Sequence, residues 1–470
     1  MYKIQSKQIG FTDFGMPLGM KLNPENRWVK KSDTIPWEEI EERYAALFKS
    51  EKGNVAKPLR LALGALIIQT DRGIVDTEVP LQIGETPCLQ YFCGFSEYKD
   101  ELPFDASSLV HFRKRLTAEI LGEINEMIIA NATRQEKDPA DDDDVDPPNG
   151  GTLLVDSTCA PQNIRYPQDT SLLNEARENL EGMIDALHDP ADGEKPRTYR
   201  RNARRDYLNI ARRRKKTSKQ IRKAIGKQLR YIRRDLGIVE DYLQAGKELS
   251  EWHCDRFETI KTLYEQQLLM FENRTHQVED RIVSLGQPWV RPIVRGKAKS
   301  KCEFGAKLDV SVSNGFVRLE HASFDSYNES GNFVEIIERY RERTGRWPER
   351  ALVDQIYRTR ENLSYCKERG IRVLGKPLGR PPKDYDPDKK LRHQDEVDRI
   401  EVERKISHAK GSFGLGLIRT RLKETSETAI ALSIVVLNLA HISKILRATL
   451  RFFIQTFAFT VNNNSLAFIQ

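Results

Sequence analysis

The stretch Arg399-Ile400-Glu401-Val402-Glu403-Arg404-Lys405-Ile406-Ser407-His408-Ala409-Lys410 reads as a helix, and at helical period Arg399, Glu403 and Lys410 fall close to one line on one face. That face presents one carboxylate flanked by two cations. Two further acids, Asp156 and Asp354, each close an apolar run. A strand acid, a second strand acid and a helical acid beside cations form a set able to handle phosphodiesters. Carboxylates brought together repel one another unless cations neutralise them. Oxygen donors select hard divalent ions: Mg²⁺, with Mn²⁺ as its substitute, keeps several waters and bridges to phosphate oxygens. Two such ions, roughly 3.5–4 Å apart, activate a water or 3′-hydroxyl and stabilise the leaving oxygen. Asp156, Asp354 and Glu403 are therefore the expected catalytic residues and metal ligands. Arg399 and Lys410 are expected to hold the phosphate backbone.

Acids at the ends of neighbouring strands meet at one edge of a sheet, and a helix packed across that edge adds a third. The sequence offers the parts. Gly151 opens an apolar strand over 152–158 that ends in its acid. Alternation at Phe304, Ala306, Leu308 and Val310, an Asn314-Gly315 turn and a run over 316–319 predict a hairpin. Next come a helix at about 329–344, a strand at 350–353, a helix at about 360–369, a strand at 371–374 and a Pro-rich loop over 376–388. The Arg399/Glu403 helix and an apolar C-terminal helix follow. This order predicts an α/β core, a mixed sheet with helices on both faces, over 151–455. A helical insertion at about 165–290 interrupts it. The insertion carries Arg204, Arg205, Arg212 and Arg213 among interleaved Tyr207, Ile210, Ile221 and Ile225. Such a face contacts a polyanion or is simply solvated.

Residues 1–133 predict an all-α domain. Pro36 suits the first turn of a helix carrying Trp37, Ile40, Tyr44, Leu47 and Phe48, and 59–69 is a second apolar helix. Asp105 or Ser107 would cap a third, with a core stripe of Leu109, Phe112, Leu116, Ile120 and Ile124. Its first turns carry His111, Arg113, Lys114 and Arg115, so this domain docks DNA or is an ordinary packing domain. The segment 134–150, with Asp141–Asp144 and Pro147-Pro148, has linker composition, and 456–470 reads as a tail.

The chain of 470 residues carries a formal net charge of +7, and its basic residues crowd into 197–234. Uneven charge points to a polyanionic partner more strongly than the total does. The six cysteines form no C-x-x-C pair, which argues against a structural zinc site and for free thiols in a reducing cytoplasm. A membrane span needs about 20 apolar residues. The apolar run over 429–442 is interrupted by Asn438 and His441, so a core helix is expected and a membrane is not.

The ordered set resembles the bacterial insertion-sequence DDE transposases, whose third acid lies in a Y-x2-R-x3-E-x6-K pattern. Arg399-x3-Glu403-x6-Lys410 fits that spacing, and Glu396 stands at the tyrosine position. Leu352-Val353-Asp354-Gln355-Ile356-Tyr357 resembles the family's second-Asp motif, with Ile356 in place of a glycine. Leu154-Val155-Asp156-Ser157-Thr158 resembles its first-Asp strand. Phe413-Gly414-Leu415 and Leu437-Asn438-Leu439 resemble segments after its Glu helix, and the Pro36-Trp37 and Phe112–Leu116 segments resemble the helical domain preceding the core in one branch.

The resemblance implies a ribonuclease-H-like core and metal-dependent transposition. The enzyme would bind terminal inverted repeats, hydrolyse phosphodiesters to expose 3′-hydroxyls, and join these to target DNA. Synapsis of two ends implies a homodimer on double-stranded DNA, in the bacterial cytoplasm and on the nucleoid when bound. The alternatives are a ribonuclease-H-like nuclease without strand transfer and a catalytically inactive DNA-binding relic.

Overall fold

A computed structural model describes residues 1–4, 9–48, 55–134, 149–294, 302–375, 378–379 and 389–467. In chain order, helices α1–α7 are Arg27–Asp33, Trp37–Ala45, Leu59–Arg72, Glu78–Glu85, Pro87–Phe92, Ser108–Arg115 and Ala118–Arg134. Strand β1 is Thr152–Pro161, and α8–α11 are Asp169–Leu187, Arg200–Ala211, Ser218–Gln244 and Glu251–Asn273. Strands β2–β4 are Arg291–Val294, Cys302–Ser313 and Phe316–Ser323. The remaining elements are α12 (Phe333–Thr344), β5 (Arg350–Val353), α13 (Arg360–Glu368), β6 (Arg372–Val373), α14 (Lys389–Ser412) and α15 (Lys423–Ala467). Most of the acidic segment 134–150 and of the loop 376–388 lies outside the described residues.

The chain divides into two compact units. The first comprises Met1–Ala160, Leu308–Ala322 and Tyr327–Gln470. In it β1 and β6 pair parallel with opposite sides of β5, and β3 lies on the far side of β1. Strands β3 and β4 are joined by Asn314 and Gly315, whose φ values of 49° and 75° are those of a tight hairpin turn. One sheet face is covered by an apolar cluster of Leu153, Val155, Phe333, Ile336, Ile337, Ala351 and Val353. Leu154 and Leu352, which point to the opposite face, are buried as well, so these parallel strands are covered on both faces.

Helix α15 is the core helix of this unit. Its apolar stretch Lys423–Thr449 is long enough to cross a membrane, yet 61% of its most apolar window is buried inside the protein. Asn438, fully buried, accepts the Val317 N–H at 2.9 Å and donates to the Val317 carbonyl at 2.8 Å and to Asn125 Oδ1 at 2.8 Å. A polar residue inside the apolar run thus completes the backbone hydrogen bonding of β4. The helix continues to Ala467, where the composition of 456–470 predicts a tail.

Two more elements differ from the sequence reading. The stripe from Leu109 to Ile124 is buried, but it lies on two helices, α6 and α7, that break at Leu116 and Thr117. Ser107 precedes α6 without a side-chain cap; Asp105 Oδ1 instead accepts the Ser107 N–H at 2.9 Å, closing a turn before the helix. The mixed pattern over 350–353 is a strand as expected.

The second unit, Pro161–Lys307 with Ser323–Ser326, is mainly helical. Helices α8, α10 and α11 share a core of Leu173, Leu180, Met183, Ile184, Ile232, Ile260 and Leu263. The basic tract forms two helices. Helix α9 stops at Ala211 and α10 restarts at Thr217, whose hydroxyl and the Gln220 side chain form a reciprocal capping box.

Candidate active site

Strand β5 ends at Val353 because the next residues turn. Tyr357, only 1% exposed, anchors a short 3₁₀ turn over Gln355–Tyr357, and Asp354 is left on the surface at the start of it. The Tyr357 phenol is buried beside acids. Burial, then Asp309, Glu329 and Asp156, push its pKa well above the usual tyrosine range, so it is a neutral hydroxyl.

Strand β1 pairs with β5 through Leu154–Leu352 and Val155–Val353, and Asp156 follows directly. Asp156 is not at the end of its strand. The β-compatible residues Thr158, Cys159 and Ala160 carry β1 on to Pro161, so Asp156 lies where β1 outruns β5. It is half-buried, and its Oδ1 accepts the Ser157 N–H at 2.8 Å.

Helix α14 supplies the third acid. Over 24 residues it buries only Asp395, Val402 and Ala409, spaced seven apart on one stripe. Arg399 and Glu403 flank that stripe. Arg399 Nη1 is 2.6 Å from Asp354 Oδ1, and its Nη2 is 3.1 Å from Glu403 Oε1. The structure therefore brings Asp354 and Glu403 onto one guanidinium, with Asp156 on the neighbouring strand one residue beyond the Val155–Val353 pair. Arg399 is engaged with carboxylates rather than facing solvent for phosphate. Lys410, half-buried near the end of α14, lines an open cleft of about 820 Å³ with Arg419, Arg421 and Gln69. A Cβ on Gly416 would stand 2.6 Å from the Lys410 carbonyl oxygen, so the chain after α14 passes against it only as glycine.

The other expected DNA contacts separate by exposure. Arg113 is 6% exposed and held by Asp76 at 2.6 and 2.9 Å and by Gln69 at 2.7 Å. Its charge is consumed inside the helical part, which corrects the reading of Arg113 as a phosphate contact. The reason is its place on the buried side of α6, one residue after Phe112. Arg115 lies over the Phe48 ring at 4.7 Å and donates to the Tyr44 hydroxyl at 3.3 Å. Lys114, Arg204, Arg205, Arg212 and Arg213 are exposed. Arg205 bonds Asn202, and Arg213 the Asn209 carbonyl, each within or at the end of its own helix.

Three residues of the site escaped sequence reasoning: Asp395, Arg350 and Arg372. Asp395, 1% exposed, accepts Arg350 Nη1 at 2.8 Å and Arg372 Nη2 at 3.0 Å. Arg350 Nη2 also reaches Asp398 at 2.6 Å. Burial opposes the charge on Arg350, but the bonds to Asp395 and Asp398 outweigh it and hold its pKa above the usual arginine value. The available signal was Asp395-x3-Arg399-x3-Glu403, acid, base and acid on one helical line.

The donor set fits a hard divalent cation. Among the described residues no three His, Cys, Asp or Glu side chains form a ready-made cage. Mg²⁺ does not require one: it binds through one or two carboxylates and keeps its waters. Asp354 and Glu403 already share one positive group, the Arg399 guanidinium.

Residues 351–440, which hold Asp354, Arg399, Glu403 and Lys410, match the family model described as Transposase DDE domain. Residues 17–115, the N-terminal helices through α6, match Transposase domain (DUF772). The chain is 28% identical over 159 residues to a Rhizobium meliloti protein described as "Uncharacterized protein ORF8 in nfe locus", which is 34% of this chain and 73% of that one. No solved structure matches it. With a transposase family model matched on each side of β1, these matches support an insertion-sequence DDE transposase, a metal-dependent polynucleotidyl transferase that acts on DNA.

Proposed function

We propose that Asp156, Asp354 and Glu403 are the three catalytic acids of a ribonuclease-H-like core of the Y-R-E-K type. They would hold two Mg²⁺ ions, with Mn²⁺ able to substitute. The observation that carries the reading is the Arg399 guanidinium spanning Asp354 and Glu403, with Asp156 next to the last residue pair of β1 and β5. The parallel trio β1, β5 and β6 with a hairpin beside β1 supports the fold assignment.

The bound ions would activate the attacking water or 3′-hydroxyl and stabilise the leaving oxygen. The chain's own residues do the rest. Asp354 and Glu403 set the oxygen ligands from a strand end and a helix. Arg399, once released from them, meets a phosphate bidentately, and Lys410 adds a point charge about three turns on. The substrates are terminal inverted repeats and target DNA, the working form is a homodimer on paired ends, and the compartment is the bacterial cytoplasm. The exposed arginines of α9 and the turn after it give affinity that falls steeply with salt.

The test is a repeat-bearing DNA end incubated with a target plasmid and Mg²⁺. Joined products are expected from the native protein. Asp156→Asn, Asp354→Asn and Glu403→Gln should each lose cleavage and joining while binding the DNA end. Near-native cleavage by any one of them removes that residue from the set, and cleavage without joining removes the strand-transfer activity.

A further inference from the structure

We propose that Asp395 is a positioning residue: a buried clamp that fixes the register of helix α14 and thereby holds Arg399 on Asp354 with Glu403 one turn beyond it. This rests on Glu403 being the third catalytic acid.

Helix α14 is weakly held by apolar contact. Its buried stripe contains Val402, Ala409 and the charged Asp395. Two small apolar residues fix a helix's distance from a sheet better than its position along its own axis. The ionic contacts supply that position. Strand β5 carries Arg350 at its start and Asp354 just past its end. Arg350 meets Asp395 at 2.8 Å and Asp354 meets Arg399 at 2.6 Å. Arg372 of β6 closes on both Asp395 oxygens.

The two rungs have opposite polarity. On the strand the order is base then acid, and on the helix it is acid then base. A slip of one turn in one direction puts Arg399 against Arg350 and Arg372, and Glu403 against Asp354. Both contacts then become repulsive. Only one register satisfies both rungs, and in that register Arg399 lies against Asp354 and carries Glu403, one turn on, at its other nitrogen. Asp395 is 1% exposed, so the clamp works where water screens it little. It touches no reacting atom; it acts through the helix.

The test uses the full-length protein. Asp395→Asn and Arg350→Gln each weaken one arm while preserving shape. The expected result is a loss of Mn²⁺ affinity in the DNA-free protein of about tenfold or more, the range seen when residues behind metal ligands are removed. It is read by calorimetry or by the Mn²⁺ spin-resonance signal. The Mg²⁺ concentration for half-maximal cleavage should move by a similar factor, and affinity for the DNA end should stay within about twofold, because phosphate contacts elsewhere set it. Arg350→Lys, which keeps the charge, should recover most of the affinity. Ile337→Val, a core change in α12, should lower the melting temperature without moving Mn²⁺ affinity. Folded Asp395→Asn and Arg350→Gln proteins with native Mn²⁺ affinity overturn the proposal. If Asp395→Asn does not fold, Arg350→Gln decides, since Arg372 still pairs with Asp395. If Glu403→Gln itself keeps native Mn²⁺ affinity and cleavage, the third-acid reading fails first and the proposal with it.

Discussion

Arg399 Nη1 stands 2.6 Å from Asp354 Oδ1, and the same guanidinium reaches Glu403 at 3.1 Å. A cation is therefore built into the place where two proposed metal ligands meet. Metal and guanidinium compete for the same oxygens. Arg399→Gln should bind Mn²⁺ more tightly in the absence of DNA, by several-fold, since removing one of two charges competing for a half-exposed pair changes the interaction by about 1 kcal/mol. The same variant should cleave DNA poorly, because the released arginine no longer meets phosphate. Titration of Mn²⁺ against both proteins, followed by a cleavage assay, checks the two halves separately; equal or weaker Mn²⁺ binding by the variant contradicts the competition.

Gly416 supports the end of the Glu helix. A methyl group there would press on the Lys410 carbonyl oxygen from 2.6 Å. Gly416→Ala should force α14 or the loop to shift and cost about 1–3 kcal/mol, the range for overpacking. Denaturant unfolding measures the loss, and an unchanged midpoint would show that the loop gives way freely.

Asn438 fills both hydrogen-bonding valences of Val317 and one of Asn125. Asn438→Leu keeps the size and leaves a buried N–H without its partner. The expected cost is about 2–4 kcal/mol, from the 1–3 kcal/mol per unsatisfied group plus the altered shape. A stability loss below about 0.5 kcal/mol, under the usual net worth of even one hydrogen bond, would mean that the backbone finds another partner.

His441 packs edge-on against Phe316 at 5.3 Å, and burial, then the nearby Lys405 and Lys444, lower its pKa to about 4. A depressed histidine binds its proton in the unfolded chain before it does in the folded one. Its contribution to stability is therefore full above the unfolded value near 6.5 and is lost as pH falls from there to about 4. His441→Gln removes this component. The variant's melting temperature should depend less steeply on pH between 6.5 and 4.5 than the native protein's; parallel curves would show that His441 titrates normally.

The sequence by itself determined the elements and their chemistry. Alternation over 304–310, the Asn314-Gly315 pair and the apolar runs before Asp156 and Asp354 follow from side-chain size and backbone preference, which act over a few residues. So does the spacing that puts Arg399 and Glu403 on one helical line. The tertiary structure alone decided which charges are available. Arg113 and Lys114 are neighbours in one basic run, yet one is sealed against Asp76 and the other faces water, because burial depends on what packs over a helix. It also decided that β1 outruns β5 at Asp156 and that Asp395 of α14 meets arginines from β5 and β6. The two arginines lie 23 and 45 residues from Asp395 in the chain, and only closure of the sheet under α14 brings them within reach of it.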